Sequence, residues 1–279
     1  MTIHHMSGAG NRFVVIDNRV EHLDLTRLHA LAPALCDRRH LHLPPAEGLL
    51  VLQDVMPGGF NGEFLNPDGS HGAMCGNGGR CIVRFALDNG AETNADDVID
   101  FTLSGEGYSA TLSGNDMVTL EFPAPKEVRQ LAPGELHGIS VPSVYVNVNS
   151  DHIVLYGPDL GIAFEHLRTS DLDTIALPFR HHPAFARGVN VNVYAVDEDG
   201  TIHVRTFERG VEAETGACGT GALSTTIAAW LSERSSPTAR VIPPSRRPLF
   251  VTIHEDHGDI RSLDLTGDAI YDHAPTLHH

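Results

Sequence analysis

Two stretches carry one short motif: Met74-Cys75-Gly76-Asn77-Gly78-Gly79-Arg80-Cys81 and Ala217-Cys218-Gly219-Thr220-Gly221-Ala222. Cys75 and Cys218 stand 143 positions apart, about half of the 279-residue chain. The likeness runs past the motif. At the same offset Phe64 falls on Phe207, Asn66 on Arg209, Gly78 on Gly221 and Ala86 on Ala229. Each half therefore reads as strand, polar turn, Cys-Gly-x-Gly and helix. A four-residue match alone is weak; a match in motif, preceding strand and following helix points to a duplicated unit. Two similar domains usually face each other across a cleft, and such clefts are favoured binding sites.

Outward from the motifs, short alternating apolar runs predict strands at 13–17, 49–53, 62–66, 98–103, 117–122, 145–149, 189–196, 202–207, 249–254 and 262–265. Helical spacing is rarer and falls at 25–37, 77–88 and 220–233. Many strands with few helices predict an α+β fold of two pseudo-symmetric domains, each a mostly antiparallel sheet wrapped around a central helix. The active site is expected in the cleft between them. Residues 123–137 hold three prolines and no clear periodicity, which predicts a linker. The expected domains are 1–122, carrying Cys75 and joined by the C-terminal residues 267–279, and 123–266, carrying Cys218.

Composition narrows the function. The formal net charge is −17, and no basic stripe interrupts it, so nucleic acid is not an expected partner. Lys126 is the only lysine, and it lies in Ala-Pro-Lys-Glu, a poor setting for a buried imine. No apolar run approaches the roughly 20 residues of a membrane span. Four cysteines in so long a chain are no disulfide scaffold, which suggests a reducing cytoplasm. The 18 histidines lack the paired spacing of a zinc site, and no metal is expected.

A cysteine just before a helix feels the positive end of the helix dipole, which favours the thiolate. The glycines after it leave bare amides that can cradle a carboxylate. Two such units could hold one carboxylate with a sulfur on each side of the neighbouring carbon. That suits inversion at an α-carbon: one thiolate removes the proton and the other thiol donates one from the opposite face. No cofactor is required. An isolated cysteine is more often a small buried hydrophobe, the reading given to Cys36 and Cys81. A thiol redox protein and a non-catalytic amino-acid binder are the rival classes.

At this point the chain resembles the diaminopimelate epimerase family over nearly its whole length. The blocks are Ser7-Gly8-Ala9-Gly10-Asn11-x-Phe13-Val14-Val15-Ile16-Asp17, Asn66-Pro67-Asp68-Gly69-Ser70 with the first cysteine motif, Val189-Asn190-Val191-Asn192, and Glu208-Arg209-Gly210 with the second. The resemblance implies that Cys75 and Cys218 are the acid/base pair. It implies that amides of Gly76, Asn77, Gly219 and Thr220 hold the reacting carboxylate, and that Asn11 lies near the reacting amine. Asn66, Asn190 and Arg209 would bind the distal carboxylate, with Glu208 at the distal amine. Ser150 and His152 fall where the family often has an Asn or Ser followed by Pro-His, which makes them weaker candidates; His152 could equally be structural. The implied reaction interconverts LL- and meso-diaminopimelate, a small-molecule substrate, and leaves room for a homodimer.

The chain also departs from the family pattern. Arg12 stands where Asp is usual, and Glu47 replaces another Asp. Residues 40–48 lack the usual Gly-rich loop and contain Pro44 and Pro45, which stiffen it. The Arg209-to-Cys218 spacing is one residue longer than in many members. These changes keep open a racemase of another amino acid, such as histidine, on the same scaffold.

Overall fold

The computed structural model describes residues 1–72, 76–114 and 116–278. The chain divides into two compact units, Met1–Glu121 with Thr266–His279, and Phe122–Leu265. In the first, β1 (Thr2–Gly8) pairs antiparallel with β2 (Asn11–Asp17). The short α1 (Asn18–Glu21) and then α2 (Leu25–Cys36) lead to β3 (Leu49–Met56), which lies parallel to β2. Next, β4 (Gly59–Leu65) turns back antiparallel to β3, and α3 (Gly76–Asp88) crosses to β5 (Val98–Leu103), parallel to β4. Antiparallel β6 (Glu106–Leu112) and β7 (Met117–Pro123) follow.

The second unit repeats this plan. After β8 (Glu127–Leu131) come antiparallel β9 (Ser143–Asn147) and β10 (Asp151–Tyr156). Helix α4 (Leu172–Arg180) leads to β11 (Asn190–Val196), parallel to β10. Antiparallel β12 (Ile202–Glu208), the two-residue β13 (Ala213–Glu214) and α5 (Gly219–Leu231) lead to β14 (Thr238–Ile242), parallel to β12. β15 (Leu249–Asp256) and β16 (Asp259–Asp268) complete it, and β17 (Ile270–Leu277) pairs antiparallel with β1. The offset of 143 carries Gly59–Leu65 onto Ile202–Glu208 and Gly76–Asp88 onto Gly219–Leu231, end for end. The parallel pairs are those bridged by helices, as parallel crossovers require. The fold is α+β, with mostly antiparallel pairing in both units.

Each sheet is covered on both faces. Val14 and Ile16 of β2 join Leu49 and Val51 of β3 against α2 residues Leu28, Ala32 and Leu35. The alternate residues Phe13 and Leu50 lie under Gly78 of α3, where an added Cβ would come within 3.3 and 3.4 Å of them. Burial on both faces is why 13–16 and 49–52 are apolar throughout. α5 is apolar nearly all round and is buried from Ala222 to Ala229, as a central helix must be. It packs on β9, β10, β11, β12, β14 and β15, as α3 packs on β1 to β5.

Two readings of the sequence need correction. Residues 123–137 are more than a linker: β8 pairs along its length with β9, and Leu131 and Leu136 enter the second core. Its exposed polar residues, Glu127, Arg129 and Gln130, hid the strand by breaking the apolar alternation. Helix α4, the counterpart of α2, was not expected. Its Asp171 N-cap accepts from the Thr174 amide, but Pro178 interrupts the helical pattern that would have marked it. No helix among the described residues is long and apolar enough to cross a membrane.

Candidate active site

Cys218 is the N-cap of α5. Its backbone is extended, and its Sγ accepts a hydrogen bond from the Gly221 amide at 3.3 Å. The Thr220 hydroxyl lies 3.6 Å from the same sulfur. The Gly219 and Thr220 amides precede the first intrahelical bond and have no acceptor among the described residues. Glycine is required at 221: a Cβ there would lie 2.7 Å from Asn192 Oδ1 and 3.0 Å from Thr206 Oγ1. The motif thus brings a half-buried sulfur, two open amides and a hydroxyl into one helical turn.

The sulfur's electrostatics run against the simple dipole expectation. Burial and then the neighbouring Glu208 carboxylate push the Cys218 thiol well above its ordinary range. The Thr220 and Gly221 donors pull it down but do not prevail. Cys218 therefore rests as a thiol. Glu208 accepts a hydrogen bond from Thr215 Oγ1 at 2.7 Å. Burial raises the Glu208 carboxyl in turn, partly offset by the Thr215 hydroxyl and the Cys218 thiol. Two neighbouring acids that both have raised pKa values titrate as a coupled pair. The structure thus places Glu208 beside the thiol, a position the sequence did not suggest.

Behind this pair, His152 is fully buried. Its Nδ1 accepts from Asn192 Nδ2 at 3.0 Å, which leaves the proton on Nε2 to donate to Thr220 Oγ1 at 3.0 Å. Burial drives the imidazole pKa down to about 3, so the ring is neutral. Asn192 also accepts from Thr206 Oγ1 at 2.9 Å. This chain of bonds orients the Thr220 hydroxyl toward the sulfur.

The distal-carboxylate candidates fall into two kinds. Asn190 donates to Ser150 Oγ at 2.8 Å and to the Asp151 carbonyl at 2.9 Å, while its own carbonyl holds the Arg209 amide at 2.9 Å. Both its amide hydrogens are spent within the protein, so it positions Arg209. Asn66 is likewise engaged, donating to Ser70 Oγ at 2.9 Å and the His71 carbonyl at 3.1 Å. Arg209 is different. Its Nη1 donates to Asp151 Oδ2 at 3.1 Å and the Gly188 carbonyl at 3.0 Å, while Nε and Nη2 have no partner among the described residues. The composition gave no hint of Asp151. The signal was present in Ser150-Asp151-His152, where an acid stands in place of proline.

In the first unit, the Ser7–Asn11 turn lies against the start of α3. A Cβ on Gly8 would meet the Asn77 carbonyl at 2.6 Å. Ala9 and Gly10 take positive φ, and the Ala9 amide donates to Asp268 Oδ1 at 2.6 Å. Asn11 is buried beside them. The fully buried Arg80 holds the first turn of α3, donating to the Gly76 carbonyl at 3.1 Å and Asn77 Oδ1 at 2.6 Å. Cys75, the expected partner of Cys218, lies outside the described residues. Residues 40–48 are pinned at their far end, where Glu47 donates to the Arg12 carbonyl at 2.7 Å and Val14 to the Gly48 carbonyl at 3.1 Å. No group of three or more metal-ligating side chains occurs among the described residues.

The family model for diaminopimelate epimerase matches residues 3–119. The diaminopimelate epimerase of Chlorobaculum tepidum is 34% identical over 98% of this chain and 100% of its own. That of Aquifex aeolicus is 33% identical over 94% of this chain and 92% of its own. Among solved structures, a phenazine biosynthesis protein of the PhzF family from Bacillus anthracis matches with a TM-score of 0.68 at 12% identity, covering 100% of this chain and 99% of that one, a likeness of fold alone. With relatives one-third identical along nearly their full length, this chain belongs to the diaminopimelate epimerase family.

Proposed function

We propose that this chain interconverts LL- and meso-diaminopimelate by moving the α-proton through two cysteines, Cys75 and Cys218, without a cofactor. The observation that carries the reading is Cys218 as the cap of a buried helix, with the Glu208 charge near its sulfur and the Gly219 and Thr220 amides open. In one direction the Cys75 thiolate takes the α-proton. The C–H bond breaks, an S–H bond forms, and the electron pair moves into the carboxylate as an enediolate. The Gly219 and Thr220 amides, with those of Gly76 and Asn77, stabilise that charge. Cys218, resting as a thiol, donates its proton to the opposite face. In the other direction it must first lose that proton, and Glu208 is the adjacent acceptor. Arg209 takes the far carboxylate through its Nε–Nη2 edge. The same reading places the enzyme in a reducing cytoplasm, supplying lysine synthesis and cell-wall precursors.

The test is purified protein with a panel of amino acids in deuterated water under reducing agent. Loss of the α-proton from diaminopimelate, with conversion between its stereoisomers, is expected. Exchange on histidine or another single amino acid, and none on diaminopimelate, would overturn the substrate. Undiminished exchange in Cys75→Ala would overturn the two-thiol mechanism.

A further inference from the structure

Asp151 is a buried carboxylate with two arginines on it. Its Oδ2 accepts from Arg209 Nη1 at 3.1 Å and from Arg187 Nη2 at 3.0 Å. Its Oδ1 accepts from the Tyr145 hydroxyl at 2.7 Å, from Asn147 Nδ2 at 3.0 Å and from Arg187 Nη2 at 3.1 Å. These donors and the two guanidiniums hold the carboxyl below its usual range against the opposing effect of burial. The Asp151 side chain is 7% exposed, whereas that of Arg187 is 73% exposed and that of Arg209 30%. The main chain joins in as well: the Arg187 carbonyl accepts from Arg209 Nη1 at 3.3 Å. Arg187, Gly188 and Asp151 together therefore fix one side of the Arg209 guanidinium.

The charge count matters. Asp151 alone would neutralise Arg209 and strip the distal subsite of its attraction for a carboxylate. Arg187 restores one net positive charge to the cluster. Neither Arg187 nor Arg209 uses its Nε, and among the described residues each keeps one terminal nitrogen without a partner. Two guanidiniums held on one carboxylate present more donors than a single arginine, at the same net charge.

We propose that Arg187 is a substrate-binding residue of this chain, which with Arg209 forms a two-arginine clamp for the far carboxylate, and that Asp151 is the positioning residue that holds both. The clamp rests on the reading of the substrate as an amino acid with a far carboxylate. Its specificity follows from charge: an amino acid with the same backbone length but no far carboxylate, such as lysine, gains nothing from the cluster.

The test uses the full chain and four forms: wild type, Arg187→Ala, Asp151→Asn and the double variant. Diaminopimelate and lysine are titrated into each by calorimetry, and exchange kinetics on diaminopimelate are measured in parallel. Arg187→Ala takes the cluster to zero net charge, so binding should weaken about tenfold, with KM rising and kcat little changed. The double variant returns the cluster to one positive charge and should recover most of the loss, which damage to the fold would not do. Arg187→Lys should recover part of it. Wild type should prefer diaminopimelate to lysine, and Arg187→Ala should lose much of that preference. Unchanged diaminopimelate binding in Arg187→Ala overturns the clamp, and so does a double variant no better than the single one. Equal affinity of wild type for lysine and diaminopimelate also overturns it. Tight, Arg187-dependent binding without any exchange leaves the clamp standing and removes the epimerase reading. Exchange in Arg187→Ala with KM as well as kcat unchanged does the reverse.

Discussion

The sulfur of Cys218 accepts the Gly221 amide at 3.3 Å, so the candidate acid/base residue is also the cap of its own helix. Structure and chemistry are carried by one atom, and substitutions can separate them. Serine is a strong N-cap, whereas alanine cannot cap at all. Cys218→Ser should therefore keep its urea midpoint close to wild type, while Cys218→Ala should lose about 1 kcal/mol. Both should lose epimerisation by at least about 100-fold, since neither supplies a thiol for general acid–base transfer. A serine variant as destabilised as the alanine variant would show that the cap is not what the sulfur contributes.

After burial, the Glu208 carboxylate is what raises the Cys218 thiol. Glu208→Gln removes the charge and keeps the shape. The Cys218 pKa should then fall, and alkylation of the Cys218 peptide, followed by mass spectrometry against pH, should reach half-maximum at a lower pH than in wild type. Turnover should drop despite the larger thiolate fraction, because the acceptor for the thiol proton is gone. An unchanged or upward alkylation profile would contradict the coupling.

Two buried histidines make the fold sensitive to acid. The pKa of His152 is lowered to about 3 and that of His5 to about 4, in both cases chiefly by burial. A histidine that titrates lower when folded than when unfolded gives full stability above its unfolded pKa, near 6.5. That stability is lost as pH falls from there toward the folded value, because only the unfolded chain takes up the proton. Urea midpoints should therefore decline from pH 7 to pH 5. His152→Gln should flatten that decline, even where its stability at pH 7 is lower; an equally steep decline would point to other groups.

Gly221 and Gly107 provide a matched pair. A Cβ at 221 would lie 2.7 Å from Asn192 Oδ1, 3.0 Å from Thr206 Oγ1 and 3.1 Å from the Cys218 Cβ, whereas one at 107 meets nothing within 4 Å. Gly221→Ala should cost about 1–3 kcal/mol through overpacking, and it should reduce activity by displacing the sulfur and the Asn192 amide that orients His152. Gly107→Ala should sit within about 0.5 kcal/mol of wild type. Chemical denaturation of both measures the contrast.

The duplication was legible because it rests on local rules. A strand of alternating apolar residues, a cysteine with two glycines and a helix following them recur at one offset, and the elements in the structure coincide with that offset to the residue at Gly59–Leu65 and Gly76–Asp88. Local pattern failed where pairing rather than sequence makes the element. β8 has few apolar residues and exists because β9 supplies its hydrogen bonds. Among the candidate residues, sequence could name Cys218, Glu208, His152, Asn190 and Arg209 as types suited to the chemistry. It could not say that Asn190 spends its amide inside the protein, nor that Glu208 raises the thiol.

What the sequence by itself determined was the α+β class, the repeat and which residues are candidates for the chemistry, since periodicity and motif spacing are properties of the chain alone. What only the tertiary structure decided was their electrostatic state. A helix N-terminus favours a thiolate, but burial and the Glu208 carboxylate outweigh it at Cys218. Arg209 looked like a lone positive charge in an acidic chain. Folding sets Asp151 and Arg187 against it, residues 58 and 22 positions away in sequence. Desolvation and charge proximity arise only once distant segments pack, so no reading of neighbouring residues can supply them.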